Sequence, residues 1–265
     1  MRPITGFPQC ARSRIRAVLT DIDDTLTWRG RLPSCVFSAM ERLQAAGILV
    51  VPVTGRPAGW CDHIARMWPI DGVIGENGAL YYRYDESSRK MIRCYWKSDA
   101  EREADRRRLA ALSTEILRRV PCARIAADQA FRVADLAVDV AEDIDPPLSM
   151  ERVETIVSIF EAAGAVAKIS SIHVNGWFGN YDKRTMASRF FREMFEVDME
   201  ASKETILYCG DSPNDAPMFG FFPHAVGVAN VARFSGKMEA EPAWITAAEG
   251  GYGFAEMVDV LLQRP

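Results

Sequence analysis

The stretch Ala17-Val18-Leu19-Thr20-Asp21-Ile22-Asp23-Asp24-Thr25 decides how the chain is read. A short apolar run reads as a strand. Here it ends in two carboxylates two residues apart, where the backbone leaves the extended conformation and both can turn toward one small volume. Negative charge crowded in this way is costly without a cation. The stretch is therefore either a metal-assisted site in which one aspartate does covalent chemistry, or an Asp-rich turn capping the next helix.

Working outward, Val36, Met40, Leu43 and Gly47 recur at helical spacing, with Pro33 near the start and Gly47 at the stop. The continuous apolar run Ile48–Val53 fits a strand covered on both faces, and it ends in Thr54-Gly55-Arg56-Pro57. A helix over about 58–67 and a third strand over 71–75 follow. Strand, helix, strand, helix, strand is the pattern of a parallel sheet with helices on both faces. The same texture returns near 182, with a helix through Phe195 and a strand over 205–210 that ends in Asp211-Ser212-Pro213-Asn214-Asp215. Further strands are expected at 225–228 and 244–246, and Phe254, Met257, Val258, Leu261 and Leu262 close the chain as an amphipathic helix.

The intervening segment is patterned differently. Tyr-rich 79–84 reads as a strand or hairpin, 99–120 as a helix, and Leu136, Val138 and Val140 as a half-buried strand. Val153, Ile156, Val157 and Phe160 repeat as a helix, and 165–169 and 172–178 supply two more strands. This describes an α+β insertion with an antiparallel sheet. The expected fold class is thus α/β: a Rossmann-like parallel-sheet core formed by 1–84 and 181–265, with an inserted α+β cap over 85–180. Residues 1–14 read as a loosely attached leader, and the Arg106-Arg107-Arg108 cluster as a solvated helix face.

With 265 residues, 48% of them hydrophobic, the chain can bury a sizeable core. A net charge of -4 gives no global basic footprint, so neither nucleic acid nor an anionic membrane is an expected partner. No run approaches the roughly 18 apolar residues of a membrane span, and the start lacks an apolar signal core, so the cytoplasm is the expected location. The pattern fixes no oligomeric state. The six cysteines are scattered without a CxxC pair or a Cys/His cluster, which disfavours zinc and a disulfide framework; they read as reduced, mostly buried thiols.

Ligands of open α/β sheets bind beyond the carboxyl ends of the strands. Asp21, Asp23, Thr54, Asp211 and Asp215 all follow expected strands and can meet at one edge. An all-oxygen set suits Mg²⁺ better than Zn²⁺. Each residue also has a plainer use. Thr54 could cap the following helix, and Asp211 and Asp215 could be turn and first-turn residues. Lys183, near a helix start where a cation gains nothing from the dipole, could simply be solvent-exposed.

Together, Asp-x-Asp-x-Thr at 21–25, Thr54-Gly55-Arg56, Lys183 and Gly-Asp-Ser-x-Asn-Asp at 210–215 resemble the haloacid dehalogenase-like (HAD) superfamily of phosphotransferases. The insertion is similar in placement and pattern to the cap of its IIB branch, which includes sucrose-phosphate, trehalose-phosphate and mannosyl-3-phosphoglycerate phosphatases and phosphomannomutases. The resemblance implies that Asp21 is the nucleophile that becomes an aspartyl-phosphate, and that Asp23 protonates the leaving oxygen and then deprotonates water. It further implies Mg²⁺ held by Asp21, the Asp23 main-chain carbonyl and Asp211, with Asn214 and Asp215 orienting metal-bound water. Thr54 and Lys183 would meet the phosphoryl oxygens. Asp24 stands where many relatives have Gly, and Arg184 stands where sugar-phosphatase relatives frequently have Gly; Arg184 could itself touch an anionic substrate.

The expected activity is hydrolysis of a small phosphorylated metabolite such as a sugar phosphate, with a phosphomutase, or a non-catalytic phosphometabolite-binding protein, as the alternatives. Specificity is expected from the cap segment 170–180, where His173 and Asn175 could bind hydroxyls and Trp177 a sugar ring. Equally, Trp177 and Phe178 could pack the hinge, and His173 could face solvent. Arg56 and Asn77, in the loops after the second and third strands, complete the candidate substrate contacts.

Overall fold

The computed structural model describes residues 1–263. Strand β1 (Arg2–Pro3) and helix α1 (Gln9–Arg12) lead into β2 (Ala17–Thr20). The N-terminal segment is part of the core and not a loose leader. β1 pairs in parallel with Trp244–Ile245, Ile4 and Phe7 are buried, and the Phe7 ring meets Trp244 edge-on at 5.3 Å. A two-residue strand is too short to show a period, but three widely spaced apolar anchors, Ile4, Phe7 and Ile15, are enough to dock it.

Next come α2 (Ser34–Ala45), β3 (Leu49–Pro52), α3 (Ala58–Met67) and β4 (Val73–Gly75). Every residue of β2 is buried, as expected for a strand covered by helices on both faces. The buried stripe of α2 is Val36, Ala39, Met40 and Leu43. Thr54 N donates to Ile74 O at 2.9 Å, which holds β4 beside the end of β3. β4 then turns into an antiparallel hairpin, β5 (Leu80–Asp85) and β6 (Lys90–Tyr95). The division expected at residue 84 falls inside β5. The hairpin packs with the core because Tyr82 joins the cluster of α2 and α3, while Tyr81 sits edge-on to Phe190 at 5.0 Å.

The second layer consists of α4 (Asp99–Arg119), β7 (Arg124–Ile125), β8 (Leu136–Asp139), α5 (Met150–Ala162), β9 (Val166–Ile169) and β10 (His173–Trp177). Ser98 and Glu101 cap the start of α4 reciprocally. The strands form an antiparallel sheet in the order β7-β8-β10-β9, with α4 and α5 packed on one face through Leu109, Ile116, Val153, Ile156 and Phe160. β8 is buried on both faces and not half-buried. Its second face carries Ala137 and Asp139, paired with Asn175 and His173 of β10 and shut off from water.

The chain returns through α6 (Lys183–Phe195), β11 (Ile206–Gly210), α7 (Ala216–Phe221), β12 (His224–Gly227), β13 (Trp244–Ile245) and α8 (Gly250–Leu262). The parallel sheet runs β1-β13-β12-β11-β2-β3, so the carboxyl ends of β2 and β11 lie side by side, with Cys209 opposite Thr20. Among the described residues no helix is long and apolar enough to cross a membrane. All six cysteines are free; Cys61 and Cys209 are buried, while Cys10 and Cys122 are exposed, so mostly buried thiols are not what the fold gives.

Candidate active site

At the adjoining ends of β2 and β11, Asp21 N donates to Cys209 O at 2.9 Å, which brings Asp21 level with Gly210 and next to Asp211. Asp215 folds back over the end of β11. A Cβ at position 210 would lie 2.5 Å from Asp215 Oδ2, so the close approach requires Gly210. Asp215 Oδ2 accepts from the Asp211 and Ser212 amides at 3.0 and 3.3 Å, and its Oδ1 accepts from Tyr208 Oη at 2.5 Å. Lys183, the first residue of α6 behind an Asp182–Thr185 capping box, is buried and not a solvated lysine. Its Nζ donates to Asp21 Oδ1 at 2.6 Å and to Asp215 Oδ1 at 2.8 Å. Asp211 is held by Thr25 Oγ1 and by Asn230 Nδ2, each at 3.2 Å.

Asp21, Asp211 and Asp215 each present a carboxylate oxygen within 4.8 Å of the others. Three buried carboxylates therefore share one buried ammonium. Burial pushes Asp21 up to about 8 against the pull of Lys183, with Asp215 and Asp23 adding to the rise. Asp211 is raised well above the usual range by burial and by the neighbouring Asp215 and Asp21. Lys183 is desolvated too, but Asp21 and Asp215 hold it cationic. The shifts of Asp21 and Lys183 favour opposite charge states of one contact. The 2.6 Å approach supports the ion pair; burial raises Asp21 most, and the neighbouring Asp215 and Asp23 add to it negative charge that a bound cation would relieve. An oxygen-only donor set with excess negative charge fits a hard divalent ion such as Mg²⁺.

The Asp23 side chain stands outside this cluster. It faces Arg56, whose Nε donates at 3.0 Å to both carboxylate oxygens and whose Nη2 lies 2.8 Å from Oδ1. Thr54 does not cap α3, whose N-cap is Pro57. Its hydroxyl oxygen instead accepts from Arg56 N at 3.0 Å, leaving the O–H free to donate. Asn77 adopts a left-handed backbone with φ 54°, and its buried Nδ2 has no hydrogen-bond partner among the described residues.

The opposite wall of the cleft comes from the antiparallel layer. Ser170, Ser171, Ile172, His173 and Asn175 face Asp21, Asp23, Gly55, Arg56, Ser212 and Asn214 across about 20 Å³. His173 is buried here and not solvent-facing. Arg56 bridges the two sides, with Nη2 2.6 Å from Glu142 Oε1, and Glu142 Oε2 lies 2.9 Å from His173 Nε2. Asp139 accepts from the Ala141, Glu142 and Asp143 amides at 2.8–3.0 Å and so fixes the turn that carries Glu142. Partial burial would raise the Glu142 carboxyl, but His173 and Arg56 together hold it down at about 2.

Two expected substrate contacts do not reach the cleft. Trp177 shares a strand face with His173 and Asn175, but four residues along β10 is about 13 Å. There it is 1% exposed and stacks on Tyr181 at 5.7 Å. Arg184 projects outward from α6, with its guanidinium 5.4 Å from the Phe221 ring centroid. The site also draws in residues that the sequence did not flag: Glu142, Asn230, Tyr208, and the buried triad Asp128-Arg132-Asp135, in which Arg132 bonds both aspartates and Asp135 accepts from Asn175 Nδ2 at 2.9 Å. Their signal is spatial, with no local pattern in the sequence to report it.

Residues 18–103 match the family model for haloacid dehalogenase-like hydrolases. A solved Thermoplasma acidophilum protein, 0175, superposes with a TM-score of 0.70 at 20% identity, over 93% of this chain and 98% of that one. This chain has the HAD-like hydrolase fold. The sucrose-phosphatase from Synechocystis sp. PCC6803, solved with sucrose and phosphate, superposes with a TM-score of 0.62 at 13% identity, over 94% of this chain and 98% of that one. A phosphoglycolate phosphatase of Methanoculleus marisnigri is 35% identical over 71 residues, 26% of this chain. The match spans 30% of that relative's length.

Proposed function

We propose that this protein is a Mg²⁺-dependent phosphomonoester hydrolase that acts through an aspartyl-phosphate on Asp21, with a small hydroxyl-bearing phosphorylated metabolite, such as a sugar phosphate, as its substrate. The observation that carries the reading is the convergence of Lys183 on Asp21 and Asp215 beside Asp211, directly under a cleft that also holds Asp23.

A carboxylate oxygen of Asp21 attacks phosphorus, and the substrate's bridging oxygen leaves with a proton from Asp23. Asp23 then takes a proton from water, whose oxygen attacks the acyl phosphate; phosphate departs and the Asp21 carboxylate is restored. The Lys183 ammonium and the free Thr54 O–H serve as donors to the phosphoryl oxygens. Asp21, Asp211 and the Asp23 main-chain carbonyl would hold Mg²⁺, with Asp215 and Asn214 beside them. When bound, the ion neutralises charge on the phosphoryl group.

A cleft of about 20 Å³ holds little more than one water, so a substrate enters only when the two layers part. Residues 99–177, from α4 through β10, act as the cap, and Ser170, Ser171, His173 and Asn175 present the hydroxyl-binding groups. In this closed arrangement Arg56 ties Asp23 to Glu142, so the proton-transfer carboxylate and the cap belong to one ion-pair chain. The test is inorganic phosphate release with Mg²⁺ from p-nitrophenyl phosphate and from a panel of phosphorylated sugars, phosphoglycerate derivatives and nucleotides. No release from any of them, or unchanged release by Asp21→Asn, would overturn the proposal.

A further inference from the structure

Glu76 has no part in the chemistry above, yet it is fully buried and its carboxylate collects amides from both layers. On the core side, Ala58 N, at the start of α3, donates to Oε1 at 2.9 Å. From the opposite layer, Val133 N lies 2.9 Å from Oε1 and 3.1 Å from Oε2. Ala134 N and Asp135 N donate to Oε2 at 2.7 and 3.2 Å. Capping one helix needs one or two amides. Glu76 gives most of its accepting capacity to a segment 57–59 positions away.

The backbone beneath it is unusual. Glu76, Asn77 and Gly78 have φ of 45°, 54° and 106° in succession. For the two non-glycine residues this left-handed conformation is disfavoured, and it persists only where the surroundings over-determine it. Those surroundings belong to the site. Glu76 N donates to Arg56 O at 3.1 Å and Asn77 N to Thr54 O at 3.0 Å. A Cβ at Gly78 would lie 2.1 Å from Asp182 O, so the turn also presses on the residue before Lys183.

The held segment reaches the cleft as well. Arg132 Nη1 donates to Gly55 O at 2.9 Å and to Asp135 Oδ1 at 3.0 Å, and Asp135 Oδ2 accepts from Asn175 Nδ2 at 2.9 Å. One turn thus fixes the loop bearing Thr54 and Arg56, while its side chain fixes the segment bearing Asp135.

We infer that Glu76 is a positioning residue that seats the second layer on the core, its carboxylate gripping the 133–135 amides so that Asn175 and Arg132 are registered over the Thr54–Arg56 loop. The seating itself is independent of the proposed reaction; only the kinetic arm of its test rests on that reading.

The primary test is amide hydrogen exchange on the full chain, comparing wild type with Glu76→Gln and Glu76→Asp. Glu76→Gln places N–H groups against N–H donors. It should speed exchange at Val133, Ala134 and Asp135 at least tenfold while leaving Leu19 and Tyr208, in the core sheet, within twofold. Glu76→Asp keeps the charge but shortens the reach, and should fall between the two. Unchanged exchange at 133–135, or the same acceleration throughout the chain, overturns the inference. If Glu76→Gln does not fold, Glu76→Asp is judged by the same outcomes, with faster exchange confined to 133–135 as the supporting one. In the kinetic arm, p-nitrophenyl phosphate with Mg²⁺ should show KM raised at least threefold and kcat within twofold. A fall in kcat at unchanged KM counts against a positioning role. An inactive wild type would overturn the proposed function and leave the exchange result standing.

Discussion

Lys183 Nζ lies 2.6 Å from Asp21 Oδ1, although 162 positions separate the two residues. Asp21 directly follows β2 and Lys183 begins α6, so the contact holds together the two parts of the chain that flank the insertion. Breaking a buried ion pair by removing one partner leaves an uncompensated charge and costs about 3–5 kcal/mol. Lys183→Met is therefore expected to destabilise the metal-free protein by about that amount in chemical denaturation. It should also lower kcat/KM by about 10²–10³, the loss typical of a deleted oxyanion donor. Full activity in the variant would remove Lys183 from the phosphoryl site.

The surplus of carboxylates makes metal binding visible without turnover. An ion that binds only the native state at 100 times its Kd adds about 2.7 kcal/mol of stability. Mg²⁺ is expected to raise the Tm of the wild type and chelation to lower it, and Asp211→Asn should shrink the Mg²⁺-dependent shift to less than half. An Mg²⁺-insensitive Tm in the wild type would contradict the assignment of Asp21 and Asp211 as ligands.

The two aspartates of the opening motif face different partners, Lys183 for Asp21 and Arg56 for Asp23, and their substitutions should differ accordingly. Asp21→Asn removes the nucleophile and should abolish turnover of every substrate. Loss of Asp23 removes proton transfer, usually worth about 10²–10⁴. Asp23→Asn should lose that factor with an alkyl phosphate, whose leaving oxygen needs a proton. With p-nitrophenyl phosphate, whose leaving group needs none, the loss should be at least tenfold smaller. Equal losses on both substrates would argue against Asp23 as the acid.

The core was legible because its strands are covered on both faces, so each appears as an apolar run, and their polar ends mark the site edge. Asp21, Asp211, Asp215 and Lys183 come together because β2 and β11 are neighbours, an adjacency that strand-end position alone made plausible. The second layer was legible as elements but not as contacts. Periodicity places His173, Asn175 and Trp177 on one face, yet cannot say how far along that face the cleft extends. Arg56 meets Glu142 across 86 positions, and Glu76 meets Ala134 across 58; no local pattern reports such pairs. The N-terminal strand was missed for a different reason, since two residues carry no period and their pairing depends wholly on Trp244–Ile245.

The Arg56–Glu142 contact also sets a pH dependence. Arg56 and His173 hold the folded Glu142 carboxyl at about 2, below its ordinary 4.5, despite partial burial. A carboxyl with a depressed folded value contributes stability that is fully present above its unfolded value and is lost as pH falls toward the folded one. Glu142→Gln should thus be less stable than wild type above about pH 5.5, and the gap should close progressively below about pH 4.5. Glu142 is partly solvated, so the plateau should be about 1–2 kcal/mol, the lower end for a charged hydrogen bond. Denaturant midpoints of both proteins across pH 3.5–8 measure it. A gap that stays constant to pH 3.5 would mean that the difference arises from packing and not from the ion pair. With the pair broken the layers should part more easily, so the same variant should show faster exchange at the Ala141–Asp143 amides and a raised KM.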